Sequence, residues 1–163
     1  MTVRLARLAD AEVLGPLHVD SWRAAYGHLL PDSFFETLDP AARTIRFAEM
    51  ISEGRTVLVA DDGEVHGFCS LGPSRDIDGW GEVYAIYLRP ASWGRGLGAE
   101  LLSEAEERLA DSGFDRAMLW VLERNNRARA FYERRGWTST ETRQTLNMGG
   151  TSLDELIYER GLT

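Results

Sequence analysis

The segment Glu82-Val-Tyr-Ala-Ile-Tyr-Leu-Arg-Pro-Ala-Ser-Trp-Gly-Arg-Gly-Leu-Gly-Ala-Glu-Leu-Leu102 constrains the fold more than any other part of the chain. Val83 to Leu88 is a continuous apolar, aromatic and β-branched run, which reads as a buried strand. Pro90 stops the ladder. Gly94, Gly96 and Gly98 follow, and then Leu101, Leu102, Ala105 and Leu109 recur at helical spacing. The pattern is strand, glycine-rich loop, helix. Glycine lets such a loop turn its backbone N–H groups inward. The helix points the positive end of its dipole at the same place. An anion site suited to phosphate is the expected result.

Composition narrows what such a site can serve. A chain of 163 residues with 44% hydrophobic content suits one domain, residues 1–163, able to bury a core without disulfides or metals. Cys69 is the single cysteine, so no internal disulfide can form. No apolar core follows a basic N-terminal segment, and no run approaches the roughly 20 residues of a membrane span. A cytoplasmic protein without a membrane partner is the expectation. The net charge of −8 argues against nucleic acid, which calls for a basic field. An anionic ligand must therefore be held locally.

The rest of the chain alternates strand and helix signals. Val3 to Ala6 reads as a first strand, and Asp10 as the cap of a helix running to about Gly27, with Pro16 kinking it or delaying its start. Trp22 and Tyr26 are four residues apart on one face of that helix, either as core aromatics or as the lining of an acceptor pocket. Pro31 to Leu38 suits a short helix or turn, and Asp39-Pro40 opens a helix ending at Gly54. Thr56 to Ala60 and Val65 to Leu71 read as a hairpin, followed by a polar loop from Gly72 to Gly81. After the central unit, Phe114 to Leu122 is a strand apolar on both faces. Asn125 caps a helix ending at Gly136. Trp137 to about Met148 and Leu153 to Tyr158 are strands joined at Gly149-Gly150. This order predicts a mixed sheet with helices on both faces.

Two constellations carry chemistry. The glycine loop has no Lys-Ser or Lys-Thr after its last glycine, which excludes an NTPase phosphate loop. Gly94, Gly96 and Ala99 meet a loose dinucleotide spacing, with Glu123 at the end of the next strand. The glycines begin too far beyond Leu88 for that turn, however, and the repeated βαβ pattern does not continue. The second constellation is Asn125-x-x-Ala128-x-x-Phe131-Tyr132, followed by Gly136-Trp137. With the loop, it resembles the GNAT superfamily of acyl-CoA-dependent N-acyltransferases. That family pairs Arg/Gln-x-x-Gly-x-Gly/Ala with Asn-x-x-Ala-x-x-Phe-Tyr. Gly96 and Gly98 match the first motif, and Trp93 stands where Arg or Gln is usual.

The resemblance implies a single α/β domain with a seven-stranded, centrally splayed mixed sheet. It implies acetyl-CoA as co-substrate, held by the loop Trp93, Gly94, Arg95, Gly96, Leu97, Gly98 and Ala99. The backbone of Ile86, Tyr87 and Leu88 would pair with the pantetheine arm, and Asn125 and Ala128 would contact it from the helix start. Arg127 and Arg129 would meet the nucleotide phosphates or form a solvated face. Tyr132 would protonate the departing thiolate, and Glu82 would act as base, directly or through water. Trp22 and Tyr26 are candidate substrate-binding residues, and Asp76 and Asp78 could attract a cationic acceptor. His18 and His28 are weaker candidate bases. The three histidines, His18, His28 and His66, have no metal-ligand spacing, so no metal is expected. Cys69 has no activating base in view and reads as core packing. The expected reaction is direct acetyl transfer to a primary amine in a ternary complex. The rival from another class is a non-catalytic CoA-binding sensor. The acceptor is not legible, and a homodimer formed through the late strands is open by resemblance alone.

Overall fold

The computed structural model describes residues 2–162. Its element order is β1 (Thr2–Leu5), α1 (Ala11–Tyr26), α2 (Asp32–Glu36), α3 (Pro40–Ser52), β2 (Thr56–Asp61), β3 (Val65–Pro73), β4 (Gly81–Leu88), α4 (Leu97–Asp111), β5 (Arg116–Leu122), α5 (Asn126–Glu133), β6 (Thr138–Met148) and β7 (Thr151–Gly161). The seven strands form one mixed sheet in the order β1-β2-β3-β4-β5-β7-β6. All neighbours are antiparallel except β4 and β5.

Alternation along the strands divides the core into two layers. Ala117, Leu119 and Val121 of β5 pack on the α4 side, with Leu97, Leu101, Leu102, Ala105 and Leu109 of α4, all 1% exposed or less. These five helix positions form one apolar stripe. Truncating one of its leucines to Ala costs about 2–5 kcal/mol, because the cavity cannot collapse. On the other face, α1 and α3 cover β2 and β3 through Leu14, Leu17, Phe47, Val57, Val59 and Phe68. Leu122 of β5 joins Tyr26, Phe35 and Leu153 in a third cluster near the sheet's far half. β5 is thus apolar on both faces, as its sequence implies, with Ala117, Leu119 and Val121 on one and Leu122 on the other.

The central pair is where the sheet opens. β4 and β5 are in register only at Gly81↔Ala117 and Glu82↔Met118. On the opposite edge of β4, the register with β3 jumps from Ser70↔Ala85 to Leu71↔Val83, so Tyr84 is an extra residue. An inserted residue bends its strand and increases the local twist. Beyond Glu82 the two strands part, and β4 keeps only β3 as a partner.

Several expectations are adjusted. Asp10 precedes α1 but makes no side-chain cap bond to it. Its carboxylate instead accepts from Arg4 at 2.8 and 3.0 Å and from the Arg7 backbone at 2.6 Å, because a guanidinium fork outcompetes one amide. α1 runs through Pro16 from a preceding 3-10 turn, Leu8–Asp10. The Gly72–Gly81 loop is shorter than expected, since β3 continues to Pro73 and β4 starts at Gly81. β5 begins at Arg116 rather than Phe114, and β7 extends to Thr151–Gly161. Asp39 and Asn125 do cap their helices, accepting from Ala41 N at 3.0 Å and Ala128 N at 3.2 Å.

Candidate active site

A cleft of about 1180 Å³ occupies the gap between β4 and β5. Its glycine-loop end is built by backbone conformation. Gly96 stands at the N-cap of α4 with φ 82° and ψ 0°, a left-handed geometry that a side chain would strain. The first helical bond runs from Glu100 N to Gly96 O at 3.2 Å, so the amides of Leu97, Gly98 and Ala99 precede it and have no acceptor within the helix. A Cβ on Gly98 would lie 3.2 Å from the Phe131 ring, so a side chain here would crowd α5. Trp93, Gly94, Gly96, Leu97, Gly98 and Ala99 all line the cleft, while Arg95 does not.

Trp93 has a role even where the family uses Arg or Gln. Its indole N–H donates to Leu88 O at 3.1 Å, and its ring lies 3.4 Å from the Arg127 guanidinium carbon. That contact holds a cation over an aromatic face at the glycine-loop end of the cleft. Arg127 lines the cleft and burial lowers its pKa. Arg129 is committed elsewhere, donating to Tyr158 Oη and Glu123 O, both at 2.9 Å. The Leu88 carbonyl also accepts from Ser21 Oγ at 3.2 Å, so both its lone pairs are used. Ile86 and Tyr87 are the parts of β4 left for an extended ligand, and both line the cleft with Leu88.

The loop is braced from behind. His66 Nε2 lies 2.7 Å from Asp62 Oδ1, and His66 Nδ1 lies 2.9 Å from Ser92 Oγ. Asp62 Oδ2 also accepts from Arg95 at 3.2 Å. The carboxylate can only accept, so a neutral imidazole carries its proton on Nε2 and takes Ser92's hydroxyl proton at Nδ1. The order Ser-His-Asp invites comparison with a hydrolytic relay. Ser92 is 3% exposed and does not line the cleft, which leaves a structural tie between the β2–β3 turn and the glycine loop.

Three phenols converge at the middle of the cleft: Tyr26 from α1, Tyr87 from β4 and Tyr132 from α5. Tyr26 and Tyr87 share a hydroxyl–hydroxyl bond of 2.8 Å. Burial raises the pKa of all three, most strongly for Tyr87 and Tyr132. Each therefore keeps its proton at neutral pH. The Tyr132 hydroxyl has no hydrogen bond among the described residues, and its ring packs on Phe131, Trp137 and Tyr158. Asn125 and Ala128 line the same region.

The other half of the cleft has a different character. Trp22, Leu146 and Met148 provide an apolar wall, with Glu155 and Gln144 beside it. Glu82, at the start of β4, is 1% exposed and outside the lining. Its carboxylate accepts from Arg75 N at 3.0 Å and from the Arg75 guanidinium at 2.7 Å. Arg75 in turn stacks on Tyr84 at 4.7 Å. Asp76 lines the cleft but accepts from Trp120 Nε1 at 2.8 Å, and Asp78 does not line it. Desolvation raises the pKa of Glu155. His28 lines the cleft; His18 does not, being packed among Trp22, Phe47, Phe68 and Tyr87. Cys69 is fully buried, which pushes its thiol pKa far up and removes it as a nucleophile.

Sequence reasoning missed Gln144, Leu146, Met148 and Glu155. Their signal is present as period-two alternation: Gln144-x-Leu146-x-Met148 in β6 faces Leu153-x-Glu155 in β7, with Gln144 opposite Glu155 and Leu146 opposite Leu153. A carboxylate in an otherwise apolar strand face is the detectable anomaly.

Comparisons with known proteins agree with this geometry. The model of the acetyltransferase (GNAT) family matches residues 17–137. An uncharacterized N-acetyltransferase, YuaI of Bacillus subtilis (strain 168), is 35% identical over 127 residues, covering 77% of this chain and 73% of that protein. The L-amino acid N-acyltransferase MnaT of Escherichia coli (strain K12) is 30% identical over 133 residues, covering 78% and 73%. Among solved structures, the PaiA N-acetyltransferase of Thermoplasma acidophilum in complex with coenzyme A superposes with a TM-score of 0.80 at 21% identity, covering 99% of both chains, a likeness of fold. YncA of Salmonella typhimurium with its cofactor acetyl-CoA gives 0.75 at 25% identity, covering 100% of this chain and 94% of that one. The splayed β4–β5 pair, the amides at the start of α4 and the matched motifs thus have one common meaning: the chain belongs to the GNAT family and is an acetyl-CoA-dependent N-acetyltransferase.

Proposed function

We propose that this protein moves the acetyl group of acetyl-CoA directly onto a primary amine while both substrates are bound. The observation that carries this reading is the gap between β4 and β5, with α4's unpaired amides at one end and an apolar wall flanked by Glu155 and Gln144 at the other. The amides of Leu97, Gly98 and Ala99 suit the pyrophosphate. Arg127 over Trp93 adds a cation near the phosphates. Backbone groups of Ile86 and Tyr87 suit the pantetheine arm, as a sheet edge accepts an extended chain.

The chemistry balances as follows. The acceptor arrives as an ammonium and loses one proton to solvent in the cleft, giving the free amine; Glu82, buried under its ion pair with Arg75 and outside the lining, does not meet it directly. Its lone pair forms a C–N bond to the thioester carbon. The C–S bond breaks, and its electron pair leaves on sulfur. Tyr132, held protonated by burial, gives the sulfur a proton. The second proton on nitrogen departs as the amide forms, and Tyr132 is reprotonated from solvent. The products are the acetamide, CoA thiol and one released proton. The burial of Cys69 and Ser92 supports a route without an acyl-enzyme.

Tyr132→Phe removes the proton donor and little else. Turnover should fall about a hundredfold, while calorimetric CoA affinity stays within about threefold of the parent. Full activity in the variant would eliminate the phenol as the acid. Mass spectrometry after incubation with acetyl-CoA alone should show unmodified protein. A stable acetylated species would contradict direct transfer. If a broad amine panel releases no CoA thiol although CoA binds, the protein is a sensor rather than a transferase.

A further inference from the structure

We propose that the acceptor is a primary amine carried on an apolar body, with its ammonium paired to Glu155 and its body lying against Trp22, Leu146 and Met148. This rests on the transferase reading above and assigns the acceptor half of the same cleft.

Commitment of charges is the first ground. Two carboxylates line the cleft at that end, Asp76 and Glu155, while Glu82 is buried outside the lining and held by Arg75 through two hydrogen bonds. Asp76 gives one oxygen to Trp120 Nε1. Glu155 is the one placed at the apolar wall, two residues from Leu153 and opposite Gln144 in the β6–β7 pair. It lines the cleft, takes a hydrogen bond from Gln144 on one oxygen, and its second oxygen has no partner among the described residues. Arg75 also lines the cleft and offsets part of the negative charge. A carboxylate at the apolar wall beside a cation fits one ammonium joined to an apolar body.

The second ground is exposed apolar surface inside the cleft. Leu122, Leu153, Phe35 and Tyr26 are buried in the cluster beneath, whereas Trp22, Leu146 and Met148 are only half-buried and face the opening. Apolar area left open in a concave site marks the place of an apolar ligand. The walls come from α1 and β6, so they flank a body placed between helix and sheet.

The test compares acceptors and variants on the intact protein. The probes are 2-phenylethylamine and L-phenylalanine against spermidine, with CoA thiol release as readout and acetyl-CoA binding measured separately by calorimetry. At least one of the aromatic amines should exceed spermidine in kcat/KM by about 10–100-fold, the worth of burying a ring. Glu155→Gln should raise the KM for that amine about tenfold or more without altering acetyl-CoA affinity. Leu146→Asp should shrink the aromatic preference and leave acetyl-CoA affinity unchanged. Better turnover of spermidine, or an unchanged amine KM in Glu155→Gln, overturns the acceptor assignment while leaving the transferase intact. Conversely, binding of 2-phenylethylamine to CoA-loaded protein that Glu155→Gln weakens, with no CoA released, supports the subsite and overturns the transfer reaction.

Discussion

His18 illustrates how far a single residue's role depends on its surroundings. Four aromatic rings lie within 5.9 Å of its own. Burial, helped by the charge on Arg43, lowers its pKa from 6.5 to about 4. The unfolded chain therefore binds a proton that the folded one refuses between those values. Stability is full above pH 6.5 and declines as pH falls towards 4. The loss amounts to about 3 kcal/mol when the interval is complete. Denaturant melts of His18→Leu and the parent at pH 4.5 and 7 measure it: the parent should weaken far more on acidification. Equal weakening in both would show that other groups set the acid limit. In sequence, His18 is an ordinary histidine and a conceivable base. Neither its exclusion from the cleft nor its lowered pKa could be read there, because both come from α3, β3 and β4 packing around it. Glu82 and Glu155 make the same point in opposite directions. The carboxylate at the start of the central strand is buried outside the cleft lining, and one overlooked near the chain's end lines the cleft.

At the scale of elements, the glycine loop acts with its brace. Helix α4 presents its amides only if the loop holds the left-handed turn at Gly96. Local sequence encodes that turn, since glycine alone adopts it without strain. The anchoring to the β2–β3 turn through Ser92, His66, Asp62 and Arg95 is long-range and invisible locally. His66→Ala should free the loop. The KM for acetyl-CoA is expected to rise about tenfold, the worth of one or two hydrogen bonds, with kcat and amine KM within about twofold. A fall in kcat with unchanged acetyl-CoA KM would show that the brace does something other than position the loop. Most elements were legible from periodicity and caps. Asp39 and Asn125 behaved as their sequence positions imply, whereas Asp10 was diverted by Arg4, a residue on a different element.

For the molecule as a whole, the parted strands leave a gap in the sheet, and the proposed seating of the co-substrate there has a thermodynamic consequence. A ligand that binds only the folded state stabilises it by mass action, about 2.7 kcal/mol at a hundred times Kd. For a chain of this size that corresponds to a rise in Tm of roughly 5–10 °C. Scanning calorimetry with CoA should show the rise, and NADH at the same concentration should not. An equal rise with NADH would return the dinucleotide reading to contention. No helix among the described residues is long and apolar enough to cross a membrane. Sequence alone determined the alternating elements, the two-faced core of β5, the backbone turn at the glycines and, through two spaced motifs, the family. Those features are local, written in period, cap and backbone freedom. The tertiary structure decided that β7 inserts between β5 and β6, that the extra residue at Tyr84 bends β4 away from β5, and which acids line the cleft. The physical reason is that alternation assigns a side chain to one side of its own strand, while only the pairing and bending of distant strands determine what that side faces.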